Sequence, residues 1–209
     1  NTYLMGDLDA GLGLVVDPGG RTEDVLDLAA RRGLRVTAIA STHSHIDHVA
    51  GAAELRQATG ARFLIHAAAE PMLMALGWQA SMFGLDPTAI PPVDGWLSEG
   101  ECLEVGDLVL TIRHTPGHAP GHVTLVSPVI DYEGGLRQVA LVGDLIFLGS
   151  IGRTDLPGGD YETLMTSIER HILSLPEDTV LLGGHGPATT VGHERRFNPF
   201  VVDWLRTSR

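Results

Sequence analysis

The sequence predicts an α/β fold made of two halves that pack sheet against sheet. The first third of the chain alternates strand-like and helix-like segments, which is the pattern of an α/β protein. Later segments add short apolar runs separated by turn signals, and Gly106-Asp107 is placed to join two of them as a hairpin. Hydrophobic residues make up 44% of the 209 residues. A chain of this length and composition is expected to bury one core as a single domain.

The first third of the chain contains five predicted elements in the order strand, helix, strand, helix, strand: residues 12–16, 23–32, 36–40, 47–58 and 62–65. The first strand ends at the turn signal D-P-G-G, residues 17–20. Thr22 is the predicted N-cap of the first helix, because a hydroxyl before two acidic residues suits a helix start. Gly33 is expected to end that helix.

The remainder of the chain contains five more predicted strands: residues 103–105, 108–112, 123–126, 139–142 and 179–182. Asp160 is the predicted cap of a helix that runs to about residue 173, and a terminal helix is expected over residues 200–205. Cys102 stands just before the hairpin, and we interpret it as a small core residue.

Composition and charge exclude several classes of function. The net charge is −12 and no basic stripe is present, which argues against a nucleic-acid partner. All 14 basic residues are Arg, so Schiff-base chemistry and a P-loop lysine are excluded. A single cysteine permits neither an intramolecular disulfide nor a Cys-rich metal site, and a cytoplasmic location fits best. No apolar run approaches the ~18 residues that span a bilayer, so we expect no membrane association.

The stretch H-S-H-I-D-H, residues 43–48, has the composition of a metal-binding motif. Imidazole and carboxylate are ligands of zinc, iron and manganese. His43 and His45 are two residues apart in an extended segment, so they project to the same side and can share one ion. Asp47 and His48 lie where the chain turns into a helix and can point to a second ion. The sequence therefore predicts a metal site here.

Three later residues complete a candidate ligand set, and each follows a strand-like run. His118 lies in H-T-P-G-H, where Pro116 and Gly117 impose a sharp turn. Asp144 lies in L-V-G-D-L-I-F, where an ionised carboxylate is costly unless it is paired or bound to a metal. His185 lies in G-G-H-G-P, whose glycines permit close backbone approach.

The ordered series H-x-H-x-D-H, T-P-G-H, G-D and G-H-G resembles the binuclear pattern of the metallo-β-lactamase superfamily. The stretches G-S-I-G-R-T-D-L-P-G-G-D, residues 149–160, and G-H-G-P-A-T-T-V-G-H-E-R-R-F-N-P-F, residues 184–200, are most similar to its short glyoxalase II-like branch. This resemblance implies an αββα sandwich of two mixed sheets with helices on the outer faces. It implies one domain over residues 1–209, without the C-terminal helical domain that supplies much of the glutathione site in longer relatives.

The resemblance also implies a ligand set for two divalent metal ions, with zinc as the first choice and iron or manganese as alternatives. One ion would be held by three histidines: His43, His45 and His118. The second would be held by Asp47, His48 and His185. Asp144 would bridge the two ions, and Asp47 and Asp144 are the predicted catalytic residues.

The activity that the resemblance implies is hydrolysis of a thioester such as S-lactoylglutathione, by attack of a hydroxide formed at the two metals. One alternative is a non-haem iron persulfide dioxygenase, because His43, His118 and Asp144 alone would form a triad of two histidines and a carboxylate. Another is a lactonase or other ester hydrolase that uses the same hydroxide. The complete second ligand set favours the hydrolase.

Substrate contacts are predicted in two places. Residues 71–97 are rich in Met, Trp and Phe. The favoured interpretation of the segment is a helix and loop packed on the sandwich or in a subunit contact. The alternative is an adaptable apolar wall over the metals, in which Trp78 and Met82 could contact an acyl group. Arg153, in G-R-T-D, is placed either to bind a substrate carboxylate or to pair with Asp155, and we favour the pairing.

Overall fold

The computed structural model describes residues 1–86 and 88–207, which form two mixed β-sheets with helices on their outer faces. The predicted α/β class is therefore confirmed. The first sheet has five strands in spatial order: β1 (Tyr3–Asp7), β2 (Leu12–Val16), β3 (Arg35–Ala40), β4 (Arg62–Ile65) and β5 (Gly95–Trp96). Its first pair is antiparallel and the other pairs are parallel.

The second sheet has six strands: β6 (Cys102–Val105), β7 (Leu108–His114), β8 (Val123–Tyr132), β9 (Gly135–Gly143), β12 (Val180–Gly183) and β13 (Thr189–Thr190). Their spatial order is β13-β12-β9-β8-β7-β6. The pair β12–β9 is parallel and the other pairs are antiparallel. A separate hairpin is formed by β10 (Ile146–Phe147) and β11 (Ser150–Ile151).

Eight α-helices accompany the sheets in the described parts of the chain: α1 (Thr22–Arg31), α2 (Ile46–Val49), α3 (Ala52–Thr59), α4 (Glu70–Met74), α5 (Leu76–Phe83), α6 (Tyr161–Ser167), α7 (Val191–Phe197) and α8 (Pro199–Thr207). A short 3-10 turn precedes α4, and a wider π-helical turn continues α6 to Ile172. Asp160 caps α6 as predicted, because its side chain accepts a hydrogen bond from the Thr163 N–H.

Two predictions about the first helices are wrong. The predicted helix over residues 47–58 is divided into α2 and α3, because Gly51 turns the chain against the D-P-G-G segment. Its N–H donates to the Pro18 carbonyl at 2.8 Å. Thr22 is the first residue of α1 and not its cap, and its hydroxyl donates to Glu54 in α3 at 2.8 Å.

The main core lies between the two sheets and is built from apolar side chains that alternate inward along the strands, including Leu14, Leu110, Leu125 and Leu141. Two further apolar clusters lie between the sheets and the outer helices. Cys102 is exposed, contrary to prediction, because it alternates with the buried Leu103 and Val105 on the edge strand β6. No helix in residues 1–86 or 88–207 has the length and hydropathy needed to cross a membrane.

Candidate metal centre

The seven predicted ligand residues lie together at one edge of the two sheets. Parallel strands end at the same edge, and the loops that follow them are therefore neighbours. The motif of residues 43–48 follows β3, which runs parallel to β2, and Asp144 and His185 follow the parallel strands β9 and β12. His118 lies in the loop between β7 and β8. The topology thus brings together residues that are up to 142 positions apart, from His43 to His185 (185 − 43).

Three imidazoles form the first group. Nε2 of His43 and Nε2 of His118 lie 3.0 Å and 2.8 Å from Nδ1 of His45. His43 and His118 are buried, whereas His45 is partly accessible. Three ring nitrogens at this separation surround a space that suits one metal ion.

The second group joins Asp47, His48 and His185. Oδ2 of Asp47 lies 3.1 Å from Nε2 of His185 and 3.6 Å from Nε2 of His48. His48 is buried, whereas Asp47 and His185 are about half exposed. This group is therefore buried on the side of His48 and open to solvent on the side of Asp47 and His185.

Asp144 lies between the two groups. Its Oδ2 is 3.7 Å from Nε2 of His118 in the first group and 3.4 Å from Nε2 of His185 in the second. Its Oδ1 is 3.4 Å from Nε2 of His48. One carboxylate thus faces nitrogens of both groups, which is the position that a bridging ligand needs.

Gly184 allows this close assembly. A Cβ at this position would lie 2.2 Å from Oδ1 of Asp144 and 2.5 Å from Cε1 of His48. Any larger residue would displace the strand end from the two side chains.

Among the buried polar atoms without a hydrogen-bond partner in the described residues are both ring nitrogens of His48 and Oδ1 of Asp144. Buried polar groups are almost always satisfied, and an unsatisfied imidazole nitrogen facing an unsatisfied carboxylate oxygen is the environment that a cation would complete. The donor set of imidazoles and carboxylates also suits zinc, iron or manganese. The residues therefore fit a pair of divalent metal ions.

The side chain of Asp17 orders two of the imidazoles. Its Oδ2 lies 3.0 Å from Nδ1 of His48 and accepts a hydrogen bond from the Thr42 hydroxyl at 2.8 Å. That hydroxyl, whose hydrogen is directed to Asp17, lies 3.1 Å from Nδ1 of His43 and can accept from it. Both rings therefore direct Nε2 towards the ligand groups, where a metal ion can bind it.

His118 is ordered in the same way by a different partner. Its Nδ1 lies 2.8 Å from the Arg153 carbonyl oxygen, which can only accept, so Nδ1 carries the hydrogen and Nε2 is free. The buried His122 shapes the same loop, because its Nδ1 lies 2.9 Å from the Thr115 hydroxyl.

Asp17 and Thr42 were not identified by the sequence analysis, which interpreted D-P-G-G only as a turn. A signal was available: Asp17 follows β2, the parallel neighbour of the strand that leads into the histidine motif. Polar residues at the carboxyl ends of adjacent parallel strands are expected to meet.

The electrostatics of the two groups differ. Burial lowers the pKa of His43 and of His118, and burial lowers the pKa of His45 to about 4. Burial would also lower the pKa of His48, but the carboxylates of Asp17 and Asp144 outweigh it and raise that pKa to about 10. The first group is therefore neutral at pH 7, whereas His48 holds a proton in a position where a metal ion would replace it.

Burial would likewise raise the pKa of Asp144. Its contact with His48 and the charges of the neighbouring imidazoles outweigh burial and lower the pKa to about 2. Asp144 is therefore ionised at neutral pH, as a metal ligand must be.

The stretch 184–200 contains a buried carboxylate, Glu194. It accepts hydrogen bonds from the Gly149 N–H at 2.9 Å, from the Asn198 amide at 2.8 Å and from the Thr189 hydroxyl. Asn198 also donates to the Ser150 carbonyl at 2.9 Å. These contacts hold the β10–β11 turn, which precedes the Arg153 carbonyl that orders His118.

The predicted substrate residues lie around the centre. The guanidinium of Arg153 donates two hydrogen bonds to Asp155, at 2.6 and 2.7 Å, which is the favoured pairing. Trp78 and Met82 line an apolar cavity together with His45. The structure thus places this part of residues 71–97 beside the candidate metal centre, while Pro87 in the same segment lies outside the described residues.

The comparisons of this chain with known proteins agree on one protein family. The sequence profile of the metallo-beta-lactamase superfamily matches residues 1–185. A relative in Haemophilus influenzae, named hydroxyacylglutathione hydrolase GloC, is 39% identical over 189 residues, which is 90% of this chain and 86% of the relative.

Two solved structures are similar in fold. BLEG-1 B3 metallo-beta-lactamase superposes with a TM-score of 0.85 and 35% identity, over 96% of this chain and 93% of that one. TTHA1623, solved in a di-iron-bound form, superposes with a TM-score of 0.81 and 38% identity, over 96% of this chain and 94% of that one.

Proposed function

The chain belongs to the metallo-β-lactamase superfamily, and from that premise we propose that it is a two-metal hydrolase whose substrate is a thioester. Two divalent metal ions, with zinc as the first expectation, would lower the pKa of water towards neutrality and polarise the substrate carbonyl. His43, His45 and His118 would hold one ion, and Asp47, His48 and His185 the other.

The observation that carries the proposal is the position of Asp144. Its two oxygens lie within 3.7 Å of Nε2 in His118, His48 and His185, so it faces both ligand groups at once. Two metal ions that share one carboxylate ligand would lie close enough to share one nucleophile. A site with a single ion would leave Asp47 and His185 without a role.

The other residues keep this arrangement ordered. Asp17 orients His48 directly and His43 through Thr42, while the Arg153 carbonyl orients His118. Asp47 is about half exposed, so its carboxylate faces the open side of the centre. It is placed to orient the attacking water as well as to hold its ion.

In the reaction, the oxygen of water forms a bond to the acyl carbon and the carbon–sulfur bond breaks. The products are a carboxylic acid and a thiol. A thiolate, whose conjugate acid has a pKa of about 8.5, leaves without prior protonation, so the site needs no separate general acid.

The similarity to a hydroxyacylglutathione hydrolase supports a thioester in preference to other acyl compounds, and S-lactoylglutathione is the first substrate to test. The two complete ligand groups support hydrolysis over a persulfide dioxygenase, which would need only two histidines and a carboxylate.

The test compares the metal-loaded protein with Asp144→Ala on S-lactoylglutathione, on a lactone, and on glutathione persulfide with an oxygen electrode. We expect thioester hydrolysis in the wild type and its loss in Asp144→Ala. Asp27→Ala is the control, since Asp27 is exposed on α1. Oxygen consumption or lactone opening without thioester hydrolysis would contradict the proposal, and an active Asp144→Ala protein would contradict the bridging role.

A further inference from the structure

An apolar cavity of about 400 Å³ opens directly beside the candidate metal centre. Helices α4 and α5 form one wall, and the loops around Pro120 and Leu156 form the other. The imidazole of His45 belongs both to this lining and to the first ligand group. The cavity is therefore continuous with the place where chemistry is expected.

The outer face of α5 is unusually apolar for a surface. Trp78, Met82 and Phe83 are 57%, 53% and 58% exposed, while Leu76 and Ala80 on the same helix fill the core. Packing in the core therefore does not explain why these three large apolar side chains stand on the exposed face of the helix. Large exposed apolar groups that gather at a concave site are typical of a binding surface.

A single buried side chain fixes this wall to the metal motif. Oε1 of Gln79 accepts from the Ile46 N–H at 2.9 Å, and its Nε2 donates to the carbonyls of Ser44 and Met72 at 3.0 and 2.9 Å. Ser44 and Ile46 flank His45. These hydrogen bonds therefore hold the wall of the cavity at a fixed position relative to the histidine motif.

The cavity has no charge with which to bind a polar group. Neither Arg nor an acidic residue lines it in the described part of the chain. The guanidinium of Arg153, in the neighbouring loop, is already paired with Asp155. The hydrogen-bonding atoms of Gln79 are likewise engaged. A glutathione peptide with two carboxylates would lose its hydration here without compensation, whereas a hydrocarbon would gain.

We propose that this cavity binds the acyl group of the substrate, and that the preferred substrates are thioesters with an apolar acyl chain longer than lactoyl. The proposal rests on the thioesterase function proposed above. The thiol half then lies on the open side of the centre, near Asp47 and His185.

The test measures kcat/KM for acetyl-, butyryl- and hexanoylglutathione alongside S-lactoylglutathione. We expect kcat/KM to rise about threefold for each added methylene until the cavity is filled. In Trp78→Ala and Met82→Ala, kcat/KM is expected to increase less with the length of the acyl chain. Leu136→Ala is the control, because Leu136 is exposed in the β8–β9 hairpin and should leave the dependence unchanged.

A binding measurement that does not depend on turnover completes the test. S-hexylglutathione, a thioether that cannot be hydrolysed, should change the tryptophan fluorescence of the wild type, and S-methylglutathione should have at least tenfold weaker affinity. Trp78→Phe should remove the signal. If hydrolysis is independent of chain length and the two thioethers bind with equal affinity, the assignment of the cavity to the acyl group is wrong, while the proposed thioesterase function stands. Failure to hydrolyse any thioester would overturn the proposed function.

Discussion

The carboxylate of Asp17 lies 3.0 Å from Nδ1 of His48, and both side chains are almost fully buried. The same carboxylate accepts hydrogen bonds from the backbone N–H and the hydroxyl of Thr42, at 2.7 and 2.8 Å. Thr42 in turn contacts His43. One acidic residue outside the histidine motif thus orients an imidazole in each ligand group.

We expect Asp17→Asn to weaken metal binding by about 10- to 100-fold, because partners that orient ligating histidines have effects of this size. Asparagine tolerates the left-handed backbone conformation of Asp17, where φ is 54°, but its side chain carries no negative charge. Competition with a chromophoric chelator measures the affinity. Asp27→Asn is the control, and equal affinities in the two variants would show that Asp17 has no such role.

Glu194 provides a second prediction. Its carboxylate accepts hydrogen bonds from three donors, on Gly149, Thr189 and Asn198. In Glu194→Gln, the hydrogen bonds lose their charged acceptor and the Thr189 hydroxyl must reverse to accept from the amide NH2, so we expect the free energy of unfolding to fall by about 1–3 kcal/mol. Chemical denaturation of the metal-free protein measures it.

The comparison variant for Glu194→Gln is Glu104→Gln, which changes an exposed glutamate on β6. A loss of stability that is the same in both variants would contradict the structural role of the Glu194 carboxylate.

The pair Arg56 and Asp94 predicts a dependence of stability on pH. Two hydrogen bonds from Arg56, both 2.8 Å, and one from the Phe63 N–H lower the pKa of Asp94 from 3.8 to about 2. A lowered pKa stabilises the folded state above the unfolded pKa, and the contribution is lost as the pH falls from about 4 to about 2.

We therefore expect Arg56→Met to destabilise the protein at neutral pH and to lose this effect near pH 2. The carboxyl carbon of Asp94, followed by NMR, should titrate at a higher pH in this variant. Arg62→Met is a suitable control, because Arg62 makes only the smallest contribution to the Asp94 pKa. An unchanged titration of Asp94 in Arg56→Met would contradict the prediction.

The fold class could be predicted because the alternation of strands and helices is a local property of the sequence, and the structure confirms it. The seven candidate ligands could be named because their motifs are short and ordered. Their division into two groups follows from the resemblance to a known superfamily, whereas the distances between them depend on parallel strands such as β9 and β12 ending at one edge.

The contacts that the sequence does not reveal include several long-range hydrogen bonds. Gln79 and Glu194 stand in helices and are unremarkable in the sequence, and their importance comes from backbone groups more than 30 residues away. The exposure of Cys102 could have been predicted, because a period of two places it on the same face as Glu104 and opposite Leu103 and Val105. Gly51 divided a predicted helix because it packs against the Pro18 turn, which no local propensity encodes.

The most direct measurement for the central proposal is the number of metal ions per folded chain, determined by elemental analysis of the purified protein and of Asp144→Ala. We predict two divalent ions per wild-type chain and at most one in the variant, with thioester hydrolysis present only in the wild type. A wild-type protein that is fully active with a single ion per chain would contradict the two-metal centre.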